Sequence, residues 1–233
     1  MTTPRFCVLA TDYDGTLAHD SAVDEPTLDA LLRFRDSGRH LAMVTGRELE
    51  ELKQVFPQID LFELVIAENG ALLYRPSSKK IKLLCTPPPA KFGEEMRRRG
   101  AERLSIGHAI VATIEPHHIT ALELIKEMGL ELHVIFNKGS VMILPSGVNK
   151  ATGLKAGLRE IGLSLERTVG VGDAENDHAF LEICGCGVAV ANALPSLKEH
   201  ADIVTKAARG AGVTELIDRI LTTDLAELEE AED

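Results

Sequence analysis

Two acidic residues stand where the first apolar segment of the chain ends. Residues 6–11 form a run typical of a buried β-strand, and Asp12 and Asp14 follow it directly. Alternation along an extended chain places both carboxylates on one side, and Gly15 permits a sharp turn after them. Two clustered carboxylates repel each other unless a cation lies between them, so we expect a hard cation at this position. In open α/β sheets ligands bind beyond the carboxyl ends of the strands, which is where phosphoryl chemistry is commonly performed.

Three further polar segments stand at predicted strand ends or helix starts. Thr45 and Gly46 close the second apolar run, where a hydroxyl and main-chain N–H groups can hold a phosphate. Lys150 lies in the first turn of a predicted helix, where a cation is unfavourable unless an anion lies nearby. Asp173 and Asp177 are four residues apart and can face the same crevice. Each segment taken alone is also compatible with an ordinary turn, helix cap or exposed side chain.

Together these segments resemble the four motifs of the haloacid dehalogenase-like hydrolases, in the family's order. Asp-x-Asp-Gly-Thr-Leu at residues 12–17 is similar to the first motif, in which the first aspartate is a nucleophile and the second carries protons. The resemblance implies that Asp12 forms an aspartyl-phosphate and that Asp14 protonates the leaving group and then activates water. It also implies that Lys150 compensates the negative charge of the nucleophile and the phosphate.

The resemblance further implies a magnesium site and a substrate site. Mg²⁺ prefers oxygen ligands and takes few carboxylates, so a site built from aspartates suits it. The expected metal ligands are Asp12, Asp14 through its carbonyl, Asp173, and Asp177 directly or through water. The expected substrate contacts are Thr45, Gly46, Asn69, Lys150 and Asn176.

The elements that must position these residues alternate between strand-like and helix-like segments. This alternation predicts an α/β fold with a doubly wound, mostly parallel Rossmann-like sheet. A polar, turn-forming link near residues 75–80 precedes segments with a hairpin signal at residues 137–140, which predicts an inserted, smaller α+β cap domain. We expect the core to comprise residues 1–78 and 146–222, the cap residues 79–145, and an acidic tail, a frayed helix, residues 223–233. An insertion at this place resembles the Cof-type and sucrose-phosphatase-like branch, which includes archaeal-type phosphoglycolate phosphatases and eukaryotic-type phosphomannomutases.

Composition limits the class of partner. The chain has 233 residues with 25 Lys and Arg against 36 Asp and Glu, a formal net charge of −11, which argues against a nucleic-acid surface. We find neither a long apolar stretch nor a basic-then-apolar leader, and therefore expect a cytoplasmic protein that does not engage a membrane. Four irregularly spaced cysteines do not indicate a disulfide framework, and we expect them to be reduced. The expected partner is a small phosphorylated metabolite.

These observations predict a magnesium-dependent phosphatase acting on a small phosphomonoester, a phosphorylated acid or a sugar phosphate. A phosphomutase of phosphomannomutase type is an alternative, in which the arginines at 97–99 would hold a second phosphate, although a solvated helix face is the simpler interpretation. A receiver-like signalling domain and a non-catalytic binding module are further alternatives. The histidines of the insertion are interpreted as ordinary polar residues.

Overall fold

The computed structural model describes residues 4–226. The strands are β1 (Val8–Thr11), β2 (His40–Val44), β3 (Leu64–Ala67), β4 (Leu72–Arg75), β5 (Lys80–Leu83), β6 (Ser105–Ile106), β7 (Val111–Ile114), β8 (Leu132–Asn137), β9 (Ser140–Pro145), β10 (Thr168–Gly172), β11 (Cys186–Ala189) and β12 (Ile203–Val204). The helices are α1 (Glu25–Asp36), α2 (Leu49–Val55), α3 (Ala90–Arg98), α4 (His118–Met128), α5 (Lys150–Glu160), α6 (His178–Glu182), α7 (Pro195–His200) and α8 (Arg209–Thr223).

Eight strands form the larger sheet in the order β12-β11-β10-β1-β2-β3-β4-β5. The pairs from β12 to β3 are parallel, and β4 and β5 add to the edge in antiparallel pairs. All four residues of β1 are buried, and because successive side chains point to opposite faces, both faces of the sheet must be covered. The predicted doubly wound α/β fold is confirmed.

Side-chain caps fix the starts of two helices that matter for the site. Asp24 accepts a hydrogen bond from the Thr27 N–H at 3.0 Å and caps α1. Asn149 accepts one from the Thr152 N–H at 2.9 Å, and the Thr152 hydroxyl accepts one from the Asn149 N–H at 3.0 Å. This reciprocal pair sets the first turn of α5, in which Lys150 lies.

A smaller sheet of four antiparallel strands, ordered β6-β7-β9-β8, is covered by α3 and α4. Its apolar cluster comprises Phe92, Met96, Val111, Ala121, Leu124, Val141 and Ile143. The predicted hairpin joins β8 to β9, with Asn137 opposite Ser140. We call the segment that carries this sheet, residues 84–148, the cap segment.

The expected boundary at residue 79 is wrong. β5, expected to open the cap, instead pairs with β4 in the larger sheet, so the chain leaves that sheet only after Leu83. The short strands β6 and β12 were not predicted, because two residues carry too little periodicity to be detected. With this correction, the division into a core and an inserted cap stays a prediction.

The tail differs from expectation where it is described. α8 ends at Thr223, and Asp224 and Leu225 adopt left-handed φ values of 53° and 59°, so the helix does not continue. Asp224 instead accepts hydrogen bonds from the Arg5 and Phe6 main-chain N–H groups. The expected frayed helix is wrong here, and its remaining residues, 227–233, lie outside the described part. No helix within residues 4–226 is both long and apolar enough to cross a membrane.

Candidate active site

The ends of β1 and β10 and the start of α5 bring three carboxylates and one ammonium group together. Asp12 follows β1, Asp173 follows β10, and Asp177 lies one turn further on. The Lys150 Nζ lies 2.5 Å from Asp12 Oδ1 and 2.5 Å from Asp177 Oδ1. β1 and β10 are neighbouring parallel strands, so their carboxyl ends meet at the same edge of the sheet. These four predicted site residues therefore form one buried cluster.

The charges in this cluster act on one another through a poorly hydrated environment. Burial raises the pKa of Asp12 to about 8, with Asp177 and Asp173 adding to the effect and Lys150 opposing it. Burial acts to lower the pKa of Lys150, but Asp12 and Asp177 outweigh it, and the pKa rises above its ordinary value. Lys150 therefore stays protonated. A cation in the first turn of a helix is favourable only beside an anion, and here Lys150 has two, Asp12 and Asp177.

Asp177 uses both carboxylate oxygens within the protein. Its Oδ2 accepts hydrogen bonds from the main-chain N–H groups of Asp173 at 2.7 Å and Ala174 at 2.9 Å, while Oδ1 bonds to Lys150. The side chain thus holds the loop after β10 against the start of α5. Both oxygens are therefore engaged by donors of the protein.

The cluster fits a hard divalent cation. Asp12, Asp173 and Asp177 each offer a carboxylate oxygen, and these oxygens lie within 4.8 Å of one another. Carboxylate oxygens are the donors that Mg²⁺ selects. The three carboxylates face two ammonium groups, since the Lys138 Nζ bonds to Asp173 Oδ2. Burial raises the pKa of Asp173 as well, with Asp177 adding to the effect and Lys138 and Lys150 opposing it.

Asp14 lies beside the cluster and forms a bidentate ion pair with Arg47. The Arg47 Nε lies 2.6 Å from Asp14 Oδ2 and its Nη2 lies 2.7 Å from Asp14 Oδ1, a two-pronged arrangement. Arg47 also donates to Glu51 and to Ser21. The pairing with Asp14, 33 residues away in the chain, was not predicted.

The turn after β1 depends on Gly15. Its φ of 82° lies in the left-handed region, and a Cβ there would come 2.3 Å from Asp173 Oδ2. Thr16 donates to Asp173 Oδ1 at 3.3 Å from the same turn. The absence of a side chain at residue 15 therefore lets the loops after β1 and β10 touch.

Thr45 and Gly46 lie at the end of β2, as predicted, with Thr45 fully buried. The Thr45 hydroxyl accepts a hydrogen bond from the Arg47 N–H at 3.1 Å. A Cβ at Gly46 would lie 3.2 Å from the Met142 Sδ of the cap segment, so the two parts approach closely here. This approach closes one side of the site.

Asn69 and Asn176 form a buried amide pair near Gly46, where a Cβ would lie 3.8 Å from Asn176 Nδ2, and neither residue lines the cleft described below. The Asn176 Nδ2 lies 2.9 Å from Asn69 Oδ1, while Asn69 Nδ2 and Asn176 Oδ1 have no hydrogen-bond partner among the described residues. Rotating both amides would exchange donor and acceptor without satisfying either spare atom. Buried polar atoms without partners are uncommon, and a bound ligand is one way to satisfy them.

The turn that carries Asn69 joins the core to the cap segment. Glu68 and Asn69 have left-handed φ values of 50° and 54°, which few non-glycine residues adopt. Glu68 is fully buried and accepts hydrogen bonds from the N–H groups of His108, Ala109 and Ile110 at 3.0, 2.7 and 3.1 Å. One core carboxylate therefore holds the loop that leads into β7.

The turn also sets the position of α5. A Cβ at Gly70, whose φ is 106°, would lie 1.9 Å from the Asn149 carbonyl oxygen. A Cβ at Gly153 would lie 2.6 Å from Gly70 Cα. Main chain thus packs directly on main chain, which fixes where Lys150 begins its reach toward Asp12.

A cleft of about 370 Å³ opens onto this cluster. Its core side is lined by Asp12, Asp14, Gly46, Arg47 and Glu51, and its cap side by Ala112, Asn137, Lys138, Ser140 and Met142. A space of this size suits a small metabolite. Lys138 and Met142 were not predicted, because their position over the site depends on how the hairpin folds back, which local spacing does not encode.

Asn192 was also missed. Its Nδ2 donates to the Gly15 carbonyl at 2.8 Å and approaches Asp173 Oδ2 at 3.5 Å, which ties the loop after β11 to the site. An asparagine just after the apolar run of β11 was the available signal.

Other residues with chemical potential lie elsewhere. Arg98 pairs with Glu95 and Arg99 with Glu127 on the exterior of α3 and α4, and none of the arginines at 97–99 lines the cleft. All four cysteines are free. His118 and His133 each keep one ring nitrogen without a hydrogen-bond partner among the described residues, and neither belongs to the carboxylate group described above.

Comparison with known proteins gives a consistent result. The model of the family described as haloacid dehalogenase-like hydrolase matches residues 9–86 and 109–217. A phosphoglycolate phosphatase of Saccharolobus solfataricus is 30% identical over 224 residues, which cover 92% of each chain.

Solved structures agree on the fold. A haloacid dehalogenase-like hydrolase from Bacteroides thetaiotaomicron superposes with a TM-score of 0.79 at 21% identity, covering 92% of this chain and 99% of that one. A structure described as a subclass IIB sugar phosphatase gives a TM-score of 0.75 at 18% identity, covering 91% and 98%.

Proposed function

Since this chain belongs to the haloacid dehalogenase-like hydrolase family and is a phosphatase, we propose that it hydrolyses a small phosphomonoester with Mg²⁺ and a covalent intermediate on Asp12. The observation that carries this proposal is the buried cluster in which Lys150 bridges Asp12 and Asp177 beside Asp173. The name of the relative from Saccharolobus solfataricus supports a phosphorylated acid of the size of phosphoglycolate.

Asp12 is the nucleophile in this proposal. Its Oδ1 is held by Lys150, and its Oδ2 has no hydrogen bond within residues 4–226, so Oδ2 is the oxygen free to attack phosphorus. The new bond joins Oδ2 to phosphorus as the bond from phosphorus to the ester oxygen breaks. Lys150 offsets the negative charge that gathers on the carboxylate and the phosphoryl oxygens.

Asp14 carries the proton in both half-reactions. It delivers a proton to the departing ester oxygen, then removes one from the water that attacks the aspartyl-phosphate, which releases phosphate and restores Asp12. Because Arg47 donates hydrogen bonds to both Asp14 oxygens, at least one of these bonds must break before Asp14 can deliver a proton. Arg47 is therefore a positioning residue that holds Asp14 beside the cleft between turnovers.

The remaining residues bind and orient. Asp12 and Asp173 would hold Mg²⁺, with the Asp14 carbonyl as a further ligand and Asp177 acting directly or through water. When bound, Mg²⁺ supplies positive charge that lets an anionic phosphate approach an anionic nucleophile. Thr45 and the main-chain N–H groups near Gly46 hold phosphate oxygens, and Asn69 and Asn176 offer their spare amide atoms.

Release of inorganic phosphate from a panel of phosphomonoesters, with Mg²⁺ or with a chelator, tests this proposal. Asp12→Asn should reduce release to background, and Asp14→Asn should reduce it about a hundred- to ten-thousandfold. With an ester of a good leaving group such as 4-nitrophenol, which departs without a proton, mass spectrometry of quenched Asp14→Asn enzyme should show a phosphoryl group on Asp12, because the intermediate forms but its hydrolysis lacks the base. Unchanged release in Asp12→Asn would refute the assignment of the nucleophile.

The phosphomutase alternative predicts transfer to a second sugar phosphate instead of release. It requires a cation cluster for a second phosphate, and none of the arginines proposed for that role lines the cleft. Free phosphate from a monoester supplied alone therefore discriminates between the two activities.

A further inference from the structure

A lysine at the tip of the β8–β9 hairpin reaches into the site from the cap segment. Lys138 and Gly139 form the two-residue turn, with φ values of 47° and 84° that bend the hairpin sharply. The Lys138 N–H donates to Glu175 Oε2 at 3.2 Å, and its Nζ bonds to Asp173 Oδ2. The tip is thus seated on the loop that follows β10.

Lys138 is more available to a ligand than the other cations of the site. Its side chain is 43% exposed, against 15% for Arg47 and 1% for Lys150. Arg47 is engaged by Asp14, Glu51 and Ser21, and Lys150 is engaged by two carboxylates. Within the described part of the chain, the Lys138 ammonium has one side-chain partner, Asp173, which is itself a proposed metal ligand.

The opposed polarity of the two walls indicates what Lys138 meets. The core wall carries the carboxylates of Asp12, Asp14 and Glu51, and the Arg47 guanidinium on the same wall is paired with Asp14 and Glu51. This wall therefore favours a cation over a second anionic group. The cap wall offers the Lys138 ammonium, the Asn137 amide and the Ser140 hydroxyl, all of which can bind carboxylate oxygens. In a cleft of about 370 Å³, a phosphate at Asp12 leaves room for only a short remainder before this wall.

We propose that Lys138 binds the carboxylate of the substrate and selects phosphorylated acids over neutral phosphate esters of the same size. This inference rests on the proposed function, because it takes phosphate binding at Asp12 as given. On substrate binding the Lys138 ammonium exchanges one anionic partner, the Asp173 carboxylate, for another, which would leave Asp173 Oδ2 available to hold Mg²⁺.

A matched pair of esters tests the inference. Phosphoglycolate carries a carboxylate at the position where hydroxyethyl phosphate carries a neutral hydroxymethyl group, and the two esters are otherwise the same. The ratio of their kcat/KM values should fall about ten- to a hundredfold in Lys138→Met, the range of a hydrogen bond to a charged group. Lys138→Arg should keep most of the ratio, and Lys126→Met, an exposed lysine on α4 of the same segment, should leave it unchanged.

Binding gives a second measurement that does not depend on turnover. Calorimetry should show that phosphoglycolate binds the double variant Asp12→Asn, Lys138→Met about ten- to a hundredfold more weakly than it binds Asp12→Asn alone. Inorganic phosphate, which has no carboxylate, should bind both proteins with the same affinity. Thermal melting confirms that the variants are folded.

Each outcome is informative. An unchanged ratio in Lys138→Met, with both esters hydrolysed, overturns the role of Lys138 and leaves the phosphatase assignment standing. A wild-type enzyme that releases phosphate from neither ester also overturns it, and activity on the wider ester panel then shows whether the proposed function falls as well.

Discussion

Replacing Lys150 with methionine removes the ammonium group that bridges Asp12 and Asp177 but keeps a side chain of similar length. The lysine side chain is 1% exposed and its Nζ lies 2.5 Å from each carboxylate. Removing one partner of a buried ion pair leaves uncompensated charge and costs about 3–5 kcal/mol. Because methionine fills nearly the same volume, little of this loss should come from a cavity.

Urea unfolding of the metal-free protein measures this loss. The chain has no tryptophan, so far-ultraviolet circular dichroism is the suitable signal. Lys155→Met, an exposed position on the same helix, is the matched control and should change the free energy of unfolding by less than about 0.5 kcal/mol. Phosphate release should fall about a hundredfold or more in Lys150→Met, as when a donor to a developing oxyanion is removed.

The loss should also depend on pH. The pKa of Asp12 is already about 8 with Lys150 in place and should rise further without it, so the destabilisation should change little between about pH 5 and pH 7 and grow as the pH passes about 8. A Lys150→Met protein that matches the Lys155→Met control in both unfolding free energy and phosphate release would refute the reasoning. It would mean that the three carboxylates need no internal counter-charge.

Two further predictions concern Glu68 and the ionisation of Asp12. Glu68→Gln places an amide donor against the N–H groups of His108, Ala109 and Ile110. It should lower the free energy of unfolding by about 1–3 kcal/mol and speed hydrogen exchange at those three amides. Glu94→Gln, on the exposed face of α3, is the control and should change neither quantity. Unchanged exchange at residues 108–110 would contradict this. The pKa of Asp12 is raised from 3.8 to about 8, so the native state holds this proton more tightly than the unfolded state does. Its stabilising effect in the metal-free protein is complete below the unfolded pKa and is lost as the pH rises toward 8, with a slope of about 1.4 kcal/mol per pH unit relative to Asp12→Asn. Parallel pH profiles of unfolding for the two proteins would show that the shift is absent.

Much of the larger sheet could be predicted because its central strands are buried on both faces. Continuous apolar runs mark β1, β2, β3 and β10, and Asp24 and Asn149 mark helix starts by a side chain that satisfies main-chain donors. β5 was assigned to the wrong sheet because its four residues are all exposed, so its pattern carries no sign of which partner it pairs with.

The motif residues of the site were recognised by resemblance and by their places at strand ends. The contacts between them were harder to foresee. Arg47 meets Asp14 across 33 residues, and Lys138 meets Asp173 across 35 residues and from a different sheet. Such pairs follow from tertiary packing, and a charged side chain in a turn has many alternative partners before the fold is known.

The cap segment begins after Leu83, the last residue of β5, and ends just before Asn149, the N-cap residue of α5, so it is a single uninterrupted stretch of sequence. Recombination with a relative could therefore exchange the whole segment in one step while the phosphoryl-transfer residues of the larger sheet stay in place. In such a chimera the incoming segment would have to keep its contacts with the turn at Glu68 and Gly70. It must still donate main-chain hydrogen bonds to Glu68 and leave space for the start of α5 beside Gly70. Divergence of substrate preference and retention of the underlying reaction can thus proceed in separate parts of the same gene.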